Sequence, residues 1–270
     1  MQKKELHITH LKTLWRCGEQ YRRRYILGHK IPPGIALIIG TGTHRAIEEN
    51  LKHKIEKQEF LPIDIVQEVA FQEVKNKIQQ EGIFITEEEK TKGIKKISAE
   101  AQDTAVALST LHYKKVAPKL SPIAVEESFK LKIKGSQWNL AGTIDIKESR
   151  KKKISLRDTK TALRSWSQQR IHTDTQITFY ALSEFLKSGN IPEELYIDVL
   201  KKTKEPVAEI YQTKRDKWDL DSIIHRIKNA IEQLEKGVFP PTNTDNWWCN
   251  PKFCGYYQTC PYVNGRKIIS

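Results

Sequence analysis

Two carboxylates and a lysine stand close together in the chain. Asp145 ends the run Gly142-Thr143-Ile144-Asp145, and Asp158 and Lys160 bracket Thr159. Asp158 and Lys160 are two residues apart, so on a strand their side chains leave the same face. Adjacent strands can bring Asp145 and Asp158 to one end of a sheet. Two carboxylates there make a hard oxygen site suited to Mg2+ or Mn2+. Such an ion lowers the pKa of water and polarises a phosphodiester. A lysine beside it can hold the attacking water and offset the negative charge of a phosphorane-like transition state. Gln176 and Tyr180 lie four residues apart and share one helical face. Gln176 can bond a phosphate or orient a ligand, and Tyr180 can contact a DNA backbone. The competing reading is a surface glutamine and a half-buried tyrosine.

The cysteines form a second group. Cys17 is alone, whereas Cys249, Cys254 and Cys260 cluster in an aromatic-rich tail. In a reducing compartment, clustered cysteines are more often metal ligands than disulfides. Three thiolates from one loop and a distant fourth can complete a sulfur set, and spacing alone leaves zinc and iron–sulfur both open.

These groups need elements to position them. The first 30 residues read as helical, with Leu11, Leu14 and Trp15 on one face, and Ile31-Pro32-Pro33-Gly34 breaks the pattern. Gly40-Thr41-Gly42-Thr43 reads as a tight turn into a helix beginning near His44. Residues 62–118 read as two helices, the second opened by a capping box at Thr86-Glu87-Glu88-Glu89. Strands are predicted at 123–133, 138–146 and 154–158, with turns at Gly135-Ser136 and at 150–153. A helix over 173–187, strands over 195–200 and 207–211, and an amphipathic helix over 218–234 follow. The pattern is a mixed α/β sheet core with a helical cap.

Composition narrows the partners. The net charge is +13, from 46 basic and 33 acidic residues, which suits a polyanion such as nucleic acid or merely a soluble Lys-rich background. No apolar run approaches the roughly 18–20 residues that span a bilayer. Residues 1–10 lack the apolar centre of a signal peptide, so a cytoplasmic setting is expected. No Gly-x4-Gly-Lys-Ser/Thr occurs, so no helicase motor is expected within the chain.

Taken together, Gly142-x-x-Asp145, Asp158-x-Lys160 and Gln176-x-x-x-Tyr180 resemble the RecB-like branch of the PD-(D/E)xK nucleases. That branch includes the RecB and AddB nuclease domains and the CRISPR-associated adaptation nucleases. Leu11-x-x-Leu14-x-x-Cys17-x-x-x-Tyr21 resembles the family's opening helix, and Gly40-x-x-x-His44 its Gly-x-x-x-His motif. The resemblance covers both ends and the centre and leaves out mainly residues 60–120. It implies a single domain over 1–270 with a restriction-endonuclease-like mixed sheet, a helical insertion at about 60–120, and a cluster-binding tail at about 245–262 joined to Cys17. It implies that His44, Asp145, Asp158 and the backbone carbonyl of Thr159 bind Mg2+ or Mn2+, that Lys160 is catalytic, and that Gln176 and Tyr180 face the substrate. Many relatives carry Glu where Asp158 stands. Glu126 is a candidate additional acid, although the sequence leaves open whether it or Glu127 points inward.

In the family's iron–sulfur members one cysteine precedes the nuclease motifs and three follow. Cys17, Cys249, Cys254 and Cys260 repeat that layout and suggest a [4Fe–4S] cluster, although the gap from Cys249 to Cys254 is wider than usual. The expected activity is hydrolysis of DNA, by exonuclease action on single strands or ends. The expected setting is recombination, repair, CRISPR adaptation or phage DNA metabolism, alone or with a separate helicase or recombination protein. The alternative is a non-catalytic iron–sulfur or zinc DNA-binding subunit that kept the fold.

Overall fold

A computed structural model describes residues 4–133, 135–150 and 153–264. The chain opens with a short strand, β1 (Lys4–His7), and runs into α1 (Ile8–Arg16), α2 (Gly18–Tyr21) and a π-helical turn, Arg22–Ile26. Three long helices follow, α3 (Ile35–Lys57), α4 (Ile63–Glu81) and α6 (Ile94–Lys115), with the single-turn α5 (Glu87–Lys90) between the last two. The sheet strands come next: β2 (Pro122–Lys132), β3 (Trp138–Arg150) and β4 (Lys153–Ala162). Helices α7 (Gln168–His172) and α8 (Thr175–Ser188) lead to β5 (Glu194–Lys201) and β6 (Val207–Thr213). Helix α9 (Lys217–Glu235) precedes an irregular tail that ends in α10 (Pro261–Asn264).

The described strands form one mixed sheet in the order β1-β3-β4-β5-β6, with β2 also paired to β3. Strands β1 and β4 share one edge of β3. β1 runs parallel to residues 138–141, and β4 antiparallel to residues 146–150. Between them a short stretch of β3, ending at Asp145, is left open on that edge. Strand β5 runs parallel to β4, as a helical crossover through α7 and α8 requires.

Each face of the sheet carries its own core. Helices α1, α8 and α9 cover one face, where Leu11, Phe179 and Ile227 pack on Leu140, Ile144, Leu156 and Ile197. Helices α3, α4 and α6 cover the other, where Ile47, Val74 and Leu108 pack with Val125, Ile146 and Leu200. The segment at about 60–120 is thus part of the core and, with α3, buries one side of the sheet.

Several expectations need correction. The N-terminal segment is not helical throughout, because residues 4–7 extend the sheet as β1. Gly40-Thr41-Gly42-Thr43 is not a turn: it lies inside α3, which begins nine residues before His44. Its glycine serves close approach, since a Cβ on Gly42 would sit 2.6 Å from Val74 Cγ2 and 2.9 Å from the Ala70 carbonyl. The capping box at Thr86 is present, with Glu89 N–H donating to Thr86 and Glu89 accepting from Thr86 N–H, but it opens α5 and not the long α6. The turn expected at 150–153 falls partly on residues 151 and 152, outside the described residues. Among the described residues, no helix is long and apolar enough to cross a membrane.

Candidate active site

The open stretch of β3 is where the chemistry gathers. On both strands that meet there, the in–out alternation reverses at one level. Phe129 and Val125 of β2 should share a face, yet Phe129 packs in one core and Val125 in the other. Ile144 and Ile146 of β3 divide in the same way. The residues in the middle of the two reversals are Glu126 and Asp145, and pairing resumes in the same register on both sides of them. Glu126 has φ +51°, in the left-handed region that non-glycine residues rarely occupy. Such strain persists where the surroundings over-determine it, which is common at functional sites. The twist turns Glu126 into the cleft, while Glu127 pairs on the other face with Lys187 of α8 at 2.9 Å.

Asp145 is the hub. Its Oδ2 accepts from the Thr159 N–H at 3.0 Å and its Oδ1 from the Tyr180 hydroxyl at 2.9 Å. His44 Nδ1, arriving on α3, stands 3.5 Å from Asp145 Oδ2. Ligand atoms of His44, Glu126 and Asp145 lie within 4.8 Å of one another. Asp158 is fully buried beneath this group; its Oδ1 accepts from Lys160 Nζ at 2.7 Å, and its Oδ2 has no hydrogen-bond partner. That pair has the orientation expected from strand alternation. Lys160 also donates to Gln176 Oε1 at 3.1 Å, and Gln176 Nε2 donates to the Tyr180 hydroxyl at 2.9 Å. Asp174 fixes Gln176 by capping α8, accepting from the Gln176 and Ile177 N–H groups.

A second ammonium, which sequence reasoning missed, reaches the same place. Lys12 of α1 donates to Gln176 Oε1 at 3.2 Å. Its sequence context, one residue beyond the buried Leu11 on an amphipathic helix, carried no signal of this. These groups line or border a cleft of about 580 Å³ whose walls include His7, Thr9, His44, Glu126, Asp145 and Lys160.

The electrostatics reflect crowded acids. Burial, then the nearby Asp145 and Glu48 charges, pushes the Glu126 carboxyl up to about 8. Burial also raises Asp158, against the pull of Lys160 and with the push of Asp145. Burial disfavours the Lys160 ammonium, but Asp158 and Asp145 outweigh it and raise its pKa. His44 is lowered by burial against the opposing pull of Asp145. Glu126 and Asp158, raised by burial and then by neighbouring carboxylates, with an orphaned buried carboxylate oxygen on Asp158, fit a divalent cation: its charge would favour the ionised forms.

The four cysteines meet elsewhere. Cys17, Cys249, Cys254 and Cys260 line one small cavity with Arg16, Glu19, Arg23 and Trp248. Cys249 and Cys254 thiols are raised by burial and by the other cysteines. Among the described residues, no three of the sulfurs lie within 4.8 Å of one another. Protein contacts already join the segments: Gly18 N–H donates to the Pro240 carbonyl at 2.8 Å, and Arg23 donates to the Thr259 carbonyl at 2.7 Å.

Comparison with known proteins gives a family match and similar folds. Residues 5–261 match the family model described as PD-(D/E)XK nuclease superfamily. Among solved structures, the chain is similar to a candidate exonuclease from Eubacterium rectale, with TM-score 0.54 and 11% identity over 100% of this chain and 90% of that one. It also aligns with the structure of SSO0001 at TM-score 0.37 and 14% identity, covering 95% of this chain and 96% of that one. No curated protein matches the sequence.

Proposed function

Because the chain belongs to the PD-(D/E)XK nuclease superfamily, we propose that it is a Mg2+- or Mn2+-dependent deoxyribonuclease of the RecB-like branch. The observation that carries the reading is the convergence of His44, Glu126, Asp145 and Lys160 on one cleft, with Asp158 buried against Lys160. His44, Glu126 and Asp145 would hold the cation, with Asp158 and the Thr159 carbonyl beside them. The cation supplies Lewis-acid polarisation of the phosphodiester and activation of water.

The chain's own residues do the rest. The Thr159 N–H and the Tyr180 hydroxyl fix both oxygens of Asp145, so the carboxylate needs no reorganisation. Lys160, held between Asp158 and Gln176, orients the attacking water and offsets charge on the equatorial phosphoryl oxygens. Gln176 links Lys160 to Tyr180 and thereby joins the two sides of the cleft. Action on single strands or DNA ends follows from the resemblance to the RecB-like branch; the Eubacterium rectale fold neighbour is itself described as a candidate exonuclease.

The cysteines are read as the ligands of a [4Fe–4S] cluster. The choice of iron–sulfur over zinc rests on the resemblance, in whose iron–sulfur members one cysteine precedes the nuclease motifs and three follow. The cluster's role is structural, pinning α1 and α2 to the tail.

The test is cleavage of end-labelled and circular, single- and double-stranded DNA with Mg2+ or Mn2+. The wild type should degrade labelled ends and spare closed circles, whereas Asp158→Ala and Lys160→Ala should each lower the rate at least about 100-fold. Undiminished cleavage by Asp158→Ala would remove the central assignment.

A further inference from the structure

Lys12 is poorly satisfied where it stands. Its ammonium donates to the neutral amide oxygen of Gln176, and Lys160 donates to the same oxygen. The two cations differ in what neutralises them. Lys160 is paired with Asp158 at 2.7 Å, whereas Lys12 has no carboxylate within 4.0 Å among the described residues. Lys12 is half-buried, and burial is the main cause that lowers its pKa. A half-buried ammonium that Asp174 and Asp158 offset only from beyond ion-pair distance, sharing its acceptor with a second ammonium, is an arrangement that an anion between or beside them would relieve.

The surroundings point the same way. Residues His7, Ile8 and Thr9, at the start of α1, line the cleft one turn before Lys12. Among the described residues no side chain caps that helix start, and its first turn holds no acidic residue. Its N–H groups therefore add to the positive potential on this wall. The same cleft is lined by the acids Glu48, Glu73, Glu126 and Asp145. A phosphodiester entering the cleft meets acids that would hold a cation and, beside the lining Gln176, the Lys12 ammonium.

We propose that Lys12 is a substrate-binding residue of this site. Its ammonium takes a non-bridging oxygen of a DNA backbone phosphate adjacent to the scissile one, exchanging Gln176 for the phosphate as the strand seats. The inference rests on the nuclease reading. It further implies that the helix bearing Cys17 at its end also delivers a DNA ligand into the cleft.

The test separates binding from cleavage. Affinity for a fluorescent single-stranded oligonucleotide is measured across a salt series in EDTA, for wild type, Lys12→Gln and Lys12→Arg. Losing one phosphate contact should flatten the slope of log K against log salt by about 0.7. Lys12→Arg should restore the slope. In Mg2+ or Mn2+, Lys12→Gln should raise KM by a larger factor than it lowers kcat. A wild-type slope and KM in Lys12→Gln would overturn the proposal. So would a fall in kcat with slope and KM unchanged, which would make Lys12 a prop for Gln176. A wild type that binds DNA but never cleaves it would instead sink the nuclease reading, and the slope comparison would still decide whether Lys12 holds phosphate.

Discussion

At the scale of single residues, the cleft is governed by how much negative charge it can hold without a cation. Glu126 is the most sensitive gauge, because burial and Asp145 raise its carboxyl to about 8. A group whose folded pKa lies above its unfolded value stabilises the fold fully below the unfolded pKa. That contribution is lost as pH rises through the folded one. In metal-free protein, the contribution of Glu126 should therefore fade between about pH 4.5 and pH 8. Glu126→Gln removes the titration, so the metal-free variant should melt a few degrees above wild type at pH 8 and converge with it near pH 5. Added Mn2+ should raise the melting temperature of wild type and have little effect on the variant. An equal Mn2+ shift in both proteins would exclude Glu126 from the ligand set. The sequence displayed Asp158 and Lys160 plainly, since a two-residue step on a strand fixes a common face and the structure keeps it. It could not choose between Glu126 and Glu127, because the choice depends on a local reversal of alternation at φ +51° that no periodicity announces.

At the scale of elements, His44 is placed by a helix that must lie very close to its neighbours. Gly40 and Gly42 both sit in α3, yet they face different surroundings. A Cβ at Gly42 meets Val74 Cγ2 at 2.6 Å and the Ala70 backbone oxygen at 2.9 Å, while at Gly40 the nearest atom is Thr161 Oγ1 at 3.7 Å. Gly42→Ala should destabilise by about 1–3 kcal/mol, because α3 and α4 must separate. Gly40→Ala should be neutral or gain up to about 1 kcal/mol from helix propensity. Chemical denaturation of both variants checks the contrast, and equal stabilities would mean that α3 and α4 do not pack through Gly42. In the sequence, two glycines beside threonines look like a turn; only the partner helix shows that they serve contact. Strand β1 was hidden for a related reason. Four residues rich in charge gain their strand character from pairing with β3, not from local preference. The strands around Asp145 and Asp158 were legible because apolar-rich runs there lie between turn signals at Gly135-Ser136 and 150–153.

At the scale of the whole molecule, the two ends of the chain have to meet. Cys17 and the tail cysteines line one cavity, and Gly18 fits there only because it lacks a Cβ, which would lie 2.6 Å from the Phe239 carbonyl carbon and 2.7 Å from Pro240 N. That Cys17 meets the tail cysteines was expected from the resemblance, but the closeness of Gly18 to Pro240 was not, since nothing local ties residues so far apart. A cluster across that junction closes a very long loop, and loop-closure entropy grows only slowly with length. Its effect should be felt both in global stability and in the placement of α1, which carries Lys12 to Gln176 and ends at Cys17. Freshly purified protein should be brown, with iron and sulfide in similar amounts, and Ser at Cys249, Cys254 or Cys260 should bleach it. Cys17→Ser is the sharper variant, because the same helix reaches both sites. It should lose iron, melt earlier, and show the flattened salt dependence of DNA binding expected of Lys12→Gln, although Cys17 itself is far from the phosphates. Iron analysis, thermal melting and the salt series on one preparation test this together. Full iron and an unchanged melting temperature in Cys17→Ser would mean that the tail cysteines find another fourth ligand and that α1 is held by protein contacts alone. One equivalent of zinc in a colourless wild type would replace the iron–sulfur assignment and leave the cleft chemistry untouched, because no residue of that cleft is a cysteine.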